Sequence, residues 1–226
     1  MSQSVAEHFD HVADSYDFWK QKNFYYYNAL KALCRSFVPK GSVVTEIGCG
    51  TGDILAALEP SCGLGIDVSP QMIEIAKKKY ASNATLSFEV GDVCTTQKKI
   101  DAPFIIMTDV LEHVGDSAKC MENLSRLVAP SARVVITLAK PLWEPILGIA
   151  ERFGMKMPEG PHERISIAHN ERIFAEKGFR IVEKGYRLLI PKKVLGADWI
   201  NAHFYTKKLL ARFGFIVYWV LTKDND

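Results

Sequence analysis

Apolar positions along the chain follow two periods. Val43 to Ile47, Gly63 to Asp67, Phe104 to Thr108 and Arg133 to Leu138 are short, largely apolar runs of the kind that fills a strand covered on both faces, and Thr85 to Val90 alternates. Between these runs the period lengthens. Tyr26, Leu30, Leu33 and Phe37 fall at i, i+4, i+7 and i+11, and Ser117, Met121, Leu124 and Val128 repeat that spacing, which predicts helices lying on a core. Met72, Ile73, Ala76 and Tyr80 give another helix its buried face, with Ser69 as N-cap and Pro70 at the first helical position. Further on, a helix begins near His169 and stops at Gly178, Phe179 to Ile190 reads as a sixth strand, and Phe215 to Leu221 as a seventh. Strands that alternate with helices predict an α/β sheet, mostly parallel.

At 226 residues, 48% hydrophobic and 24% charged, the composition is that of a soluble globular protein with one substantial core. No repeat, linker or low-complexity stretch divides it. The expected organisation is therefore a single domain over 1–226, with a helical cap at 1–39 and lid or acceptor elements at 141–170 and 191–212. Pro141 to Met157 is amphipathic and aromatic, and Met155 and Met157 read as a pocket wall. Five cysteines, at 34, 49, 62, 94 and 120, show neither a CxxC pair nor metal-ligand spacing, which points to reduced thiols in the cytoplasm. The N-terminus lacks a basic region followed by an apolar one, and the nine residues from Phe213 to Leu221 are too few to span a bilayer. Net charge is only +2, but Arg180 to Lys223 holds nine Lys or Arg against Glu183 and Asp198. That imbalance suggests a peripheral contact with an anionic membrane, on its inner face.

The chemistry starts at Glu46-Ile47-Gly48-Cys49-Gly50-Thr51-Gly52-Asp53, a strand, a glycine turn and a helix start. Gly48, Gly50 and Gly52 leave bare backbone against which a nucleotide-like ligand can lie. A dinucleotide-binding turn would carry its third glycine where Asp53 stands, and a carboxylate there opposes a pyrophosphate at the helix N-terminus. Glu46 would likewise repel a polyanion and attract an ammonium group. The ligand implied is a cationic nucleoside without phosphate, and S-adenosyl-L-methionine has those properties. Asp67 lies 19 residues after Gly48, at the distance from which a carboxylate reaches ribose hydroxyls. Asp92 and Val93 follow the third strand, where an acid can accept from an adenine amino group. Phe9 to Asp17 is aromatic and acidic and forms either a lid, with Tyr16 facing the cofactor, or a plain surface helix.

These motifs in order, with Asp109-Val110-Leu111-Glu112-His113 after the fourth strand, resemble the class I S-adenosylmethionine-dependent methyltransferases over roughly residues 5 to 190. The resemblance implies a Rossmann-like sheet of seven strands ordered 3-2-1-4-5-7-6, strand 7 antiparallel, with helices on both faces. It puts Glu46, Gly48 and Gly50 at the methionine end of the cofactor, Asp67 and Val68 at the ribose, Asp92 and Val93 at the adenine, and Asp109 beside the sulfonium. Tyr16, Cys49, Gly52, Met72 and Leu111 complete the expected set. Within the superfamily the chain is most similar to quinone-biosynthesis and related small-molecule or lipid enzymes, through Asp109-x-Leu111-Glu112-His113 and the Phe9-Asp10 to Tyr16-Asp17 segment. The expected activity is methyl transfer to a small, apolar or lipid-like acceptor, with O-methylation favoured and His162 or His113 as the base; His169 is a further histidine in the lid. In some relatives a similar turn binds a divalent cation, which makes Asp109, Glu112 and His113 a metal alternative to the expectation of none. The lack of an N/D-P-P-Y motif argues against nucleic acid as substrate. An RNA methyltransferase and a non-catalytic cofactor-binding module are the alternatives.

Overall fold

In the computed structural model of the chain, residues 3–157, 166–204 and 213–223 are described. Helices α1 (Gln3–Lys22) and α2 (Phe24–Phe37) precede a sheet whose strands are β1 (Val43–Ile47), β2 (Cys62–Asp67), β3 (Leu86–Val90), β4 (Phe104–Thr108), β5 (Arg133–Ala139), β6 (Phe179–Arg187) and β7 (Ile216–Lys223). The connections carry α3 (Asp53–Ala57), α4 (Pro70–Lys79), α5 (Ser117–Leu127), α6 (Glu144–Arg152), α7 (Ile167–Glu176) and α8 (Ala197–Phe204). Strand order is β3-β2-β1-β4-β5-β7-β6. The first five strands pair in parallel, and β7 runs antiparallel to both β5 and β6. This is the topology that the motif order implies.

Local signals explain most element starts. The Ser69 hydroxyl accepts from the Met72 N–H at 3.1 Å, with Pro70 at the first position of α4. Asp116 caps α5 through the Lys119 N–H at 2.9 Å, and Ser166 caps α7 through the His169 N–H at 3.2 Å. The sixth strand ends at Arg187, three residues earlier than the apolar pattern predicts, because Leu188 turns into the left-handed region with φ 60°. A bulge between Ile181 and Glu183 also shifts its register on β7.

Two apolar layers hold the sheet. On one face α5 and α7 cover Ile105, Met107, Val134, Ile136 and Trp219, and on the other α2, α3 and α4 cover Val44, Ile106, Ile216 and Tyr218. Trp219 is fully buried, meets Phe174 edge-on at 5.5 Å between centroids and donates its indole N–H to Glu171 at 2.7 Å. Burying a side chain such as Phe174 contributes about 1.5–3 kcal/mol. That is why β7, apolar on both faces, sits inside the sheet and β6, with Lys184 and Glu183, lies at its edge.

The helical cap is tied to the sheet by polar contacts. Asp10 of α1 accepts from the Ser69 hydroxyl at 2.5 Å and from the Gln71 N–H at 3.1 Å, at the N-terminus of α4. Asp17 accepts from Thr51 at 2.5 Å and pairs with Lys79 at 2.6 Å. Val12 and Ala13 pack on Met72 beneath these ties. Phe9 to Asp17 is helical, and Asp10 and Asp17 are tied to α4 and the glycine turn rather than free on the surface.

Candidate active site

At the carboxyl ends of β1, β2 and β4 lies a cavity of about 460 Å³, roofed by α1 and α2 and walled on one side by α6. That is where parallel α/β sheets present ligands, at the reversal of strand order between β1 and β4, and the volume suits a small molecule.

The glycine turn forms its floor. Gly48 and Gly50 have φ of 71° and 50°, and Gly50 lies so close to Tyr16 that an added Cβ would stand 3.0 Å from its ring. At Gly48 a Cβ would collide with Val110. Gly52 also has positive φ, at 82°, but it does not line the cavity; an added Cβ there would meet the Phe88 ring at 2.6 Å. Its lack of a Cβ is required by packing against Phe88.

Glu46 is 1% exposed, at the end of β1, and its Oε2 accepts from the Leu55 N–H at 2.9 Å. Leu55 sits in the first turn of α3, so the chain's own carboxylate takes an N–H that would otherwise be open to a phosphate. Burial pushes the Glu46 carboxyl up to about 8, against the Leu55 N–H and the nearby Lys20 charge, which both lower it. Asp67 is also buried and accepts from the Gly50 N–H at 2.8 Å and the Ser69 N–H at 2.9 Å, fixing the glycine turn relative to β2. Burial raises its pKa in spite of those hydrogen bonds.

Asp109 follows β4 with φ 54°, a backbone conformation rare outside glycine and found where structure around it imposes it. Its N–H donates to the Thr137 carbonyl at 3.2 Å, its Oδ1 accepts from the Thr137 hydroxyl at 3.1 Å, and its Oδ2 accepts from the Tyr26 hydroxyl. Burial raises the Asp109 pKa, while Tyr26, Thr137 and the charge of Lys156 oppose the rise.

Asp53 has a different role from the one its position suggests. Its carboxylate pairs with Lys20 and with Lys79, and accepts from the Tyr80 hydroxyl at 2.8 Å. Burial pulls its pKa up, but Lys20, Lys79 and Tyr80 outweigh that and hold it well below the usual carboxylate range. Lys20 itself is 9% exposed and also donates to the Thr51 hydroxyl. The charge on Asp53 is thus compensated, and what stands against a phosphate at this turn is that Glu46 already takes the Leu55 N–H.

Tyr16, Cys49, Val68 and Met72 line the cavity, as expected, with Phe9 and His113 beside them. The rings of Phe9 and His113 meet edge-on at 5.2 Å, so α1 closes over the turn that follows β4. Asp92, Val93 and Leu111 do not line it. Asp92 accepts from the Cys94 N–H at 2.8 Å, Val93 is buried with its carbonyl held by Asn123 at 2.8 Å, and Leu111 is buried in the core under α5. Nor do Asp109, Glu112 and His113 come together as a metal-holding group among the described residues. Leu111–His113 is a single 3₁₀ turn, so the i, i+3, i+4 face of an α-helix does not form, and Asp109 is held by Tyr26 and Thr137. His169 is exposed at the start of α7 and lies 3.2 Å from Arg172, away from the cavity. His162 lies outside the described residues.

Pattern reasoning missed Lys20, Trp19, Asn23, Tyr26, Tyr27, Lys156, Lys192 and Phe215, all of which line the cavity. Tyr26 was legible only as a core position of α2. The rest of the wall is Trp143, Ile146 and Leu147 of the α6 region with Met155 and Met157, as the sequence suggests.

The donor set fits a cationic nucleoside. Glu46, Asp67 and Asp109 face one cavity, Gly48 and Gly50 leave room that a Cβ would fill, and the α3 N-terminus is already occupied by Glu46. Fold and site together define a class I S-adenosylmethionine-dependent methyltransferase, with S-adenosyl-L-methionine as its cofactor. Residues 39–174 match the family described as methyltransferase domain, and the chain belongs to that family. It is 26% identical over 171 residues to a ubiquinone biosynthesis O-methyltransferase of Coxiella burnetii, covering 71% of this chain and 70% of that one. Similarity to a demethylmenaquinone methyltransferase of Tropheryma whipplei is 29% over 139 residues, 58% of this chain and 57% of the relative. The chain covers only 31% of an uncharacterised Streptomyces fradiae transposon protein and 34% of a Rauvolfia serpentina norajmaline N-methyltransferase. In fold it is similar to a Thermotoga maritima S-adenosylmethionine-dependent methyltransferase, with TM-score 0.70, 17% identity and coverage of 97% and 100% of the two chains. No helix among the described residues is long and apolar enough to cross a membrane.

Proposed function

We propose that the protein catalyses methyl transfer from S-adenosylmethionine to a small, apolar or lipid-like acceptor, with an oxygen as the atom methylated. One observation carries the reading. The acid-lined end of the cavity, at Glu46, Asp67 and Asp109, is continuous with a wall of Trp143, Ile146, Leu147, Met155 and Met157. The names of the Coxiella and Tropheryma relatives support a quinone-like acceptor class.

S-adenosylmethionine supplies an electrophilic methyl on a sulfonium whose thioether is already a good leaving group. Transfer is then an in-line displacement, and the chain's residues contribute mainly position and dryness. In this reading Glu46 holds the ammonium of the cofactor and Asp67 its ribose. Asp109, fixed by Tyr26 and Thr137, sets a negative charge beside the positive sulfur. The apolar wall excludes water from the acceptor. His113, which lines the cavity, takes the proton of a hydroxyl acceptor, with His162 as the second candidate. The helices at 1–39 and the segments at 141–170 and 191–212 act as cap and acceptor elements of one domain.

Ile146, Ile149 and Phe153 of the α6 region are exposed next to the cavity, which favours an acceptor delivered from the inner, cytoplasmic face of a membrane. Co-sedimentation with vesicles, with and without anionic lipid, tests that part; equal partitioning would remove it. For the activity itself, cell extract is incubated with the protein and S-adenosylmethionine and searched by mass spectrometry for species heavier by one methyl. An apolar product supports the proposal. Cofactor binding without any methylated product would leave a binding module, and a methylated RNA would replace the acceptor class.

A further inference from the structure

Lys192 at the cavity rim and Lys22 beside Asn23 meet only neutral partners among the described residues. Lys192 donates to the Asn23 side-chain oxygen at 2.5 Å and to the Met155 carbonyl at 3.3 Å. Lys22 donates to the Gly154 carbonyl at 2.6 Å and lies 5.0 Å from the Trp19 ring centre and 5.9 Å from that of Phe18. The contrast with neighbouring lysines is sharp: Lys20 and Lys79 pair with Asp17 and Asp53, and Lys193 pairs with Asp198.

The site is assembled from segments far apart in sequence. Lys22 ends α1, Asn23 joins it to α2, Gly154 and Met155 follow α6, and Lys192 follows β6. Lys192, Asn23 and Met155 line the cavity, and Met155 is 43% exposed, which places them at its mouth. Partial burial, and then the like charge of Lys22, hold the Lys192 pKa below the ordinary lysine value. Among the described residues that cation has no carboxylate partner, so an anion arriving there gains charge-assisted hydrogen bonds.

We propose that the acceptor is amphipathic and that its anionic group, a carboxylate or a phosphate, is seated by Lys192 in the field of Lys22, taking the place of the neutral oxygens that Lys192 otherwise meets, with its apolar body along Leu147, Met155 and Met157. This rests on the reading of the cavity as the acceptor site, and it narrows the acceptor from apolar to anionic and apolar. Such a group sits at the mouth and so orients the acceptor end-on, with its other end toward Asp109.

The test is calorimetry on the full chain with decanoate, decyl phosphate and decanol, each with and without saturating S-adenosylhomocysteine. The two anions separate carboxylate from phosphate recognition. At least one should bind about tenfold more tightly than decanol, as expected for a charged hydrogen bond in a partly desolvated site. Lys192→Met with Lys22→Met should erase that preference and leave decanol and S-adenosylhomocysteine affinities unchanged; those two affinities also report that the variant is folded. Equal binding of decanol and both anions by the unaltered protein overturns the proposal without any variant. Persistence of the preference in the folded double variant overturns it too. Failure of S-adenosylhomocysteine to bind would instead remove the cofactor reading, and the anion preference measured without it stands or falls by itself.

Discussion

The two ends of the cavity are built by different rules. The cofactor end is made by residues at the tips of β1, β2 and β4, where Glu46, Asp67 and Asp109 each accept hydrogen bonds from fixed backbone or hydroxyl groups. It is lined by carboxyl groups, each held by at least one hydrogen bond. The acceptor end is made by α6, the α1–α2 junction and the segment after β6, and it combines an apolar wall with lysines that meet neutral oxygens. In the function proposed, selection for a cation is carried by the sheet and selection of the acceptor by the elements added around it. The same division lets one fold serve different acceptors.

Variants that strike one end and spare the other break the comparison most directly. Gly50→Arg forces a side chain into the space beside Tyr16 at a residue with positive φ. S-adenosylhomocysteine affinity by calorimetry should fall at least about 1,000-fold, roughly 4 kcal/mol, with decanol binding retained. Asp109→Asn keeps a residue type that tolerates the left-handed backbone and removes the charge beside the sulfur. Its kcat should fall about 100-fold, the scale for losing one preorganised electrostatic contact, with the thermal midpoint little changed.

The pH dependence of cofactor binding isolates Glu46. Its carboxyl is raised to about 8 in the folded chain, so it is mostly protonated at pH 6. Since an ammonium group prefers the ionised form, affinity should climb roughly 100-fold between pH 6 and pH 9 and level off above the pKa. Stability of the cofactor-free chain should run the other way. A folded pKa above the unfolded one gives stability that is fully present below the ordinary glutamate pKa and is lost as pH rises through about 8. The smallest effect belongs to the acceptor wall. Leu147→Ala, on a half-buried side chain, should raise the acceptor KM about three- to fivefold, near 1 kcal/mol, with cofactor affinity untouched.

What the sequence makes legible follows the same division. Strand order, the glycine turn, Glu46, Asp67 and Asp109 are readable because they lie in short motifs with fixed spacing along one chain segment. Lys20 is not, because its partners Thr51 and Asp53 are 31 and 33 residues away and only the docking of α1 brings them together. Asp53 was misread for the same reason: its neutralising cations sit on α1 and α4. Asp92 and Leu111 do not line the cavity, and their position in a motif does not say which way a turn presents the side chain. Met155 reads in the sequence as a pocket wall and Lys192 falls in an acceptor element, but nothing local says that Lys192, Asn23 and Met155, from three separate segments, meet.

The central claim is that buried carboxylates select a cationic cofactor, and proton release on binding tests it most directly. Calorimetric titration with S-adenosylhomocysteine at pH 7, in buffers of different ionisation enthalpy, counts the protons exchanged. About one proton should be released per cofactor, as Glu46 ionises against the incoming ammonium, and Glu46→Gln should bind more weakly and release none. Binding without proton release in the unaltered protein, or the same release in Glu46→Gln, would contradict the account.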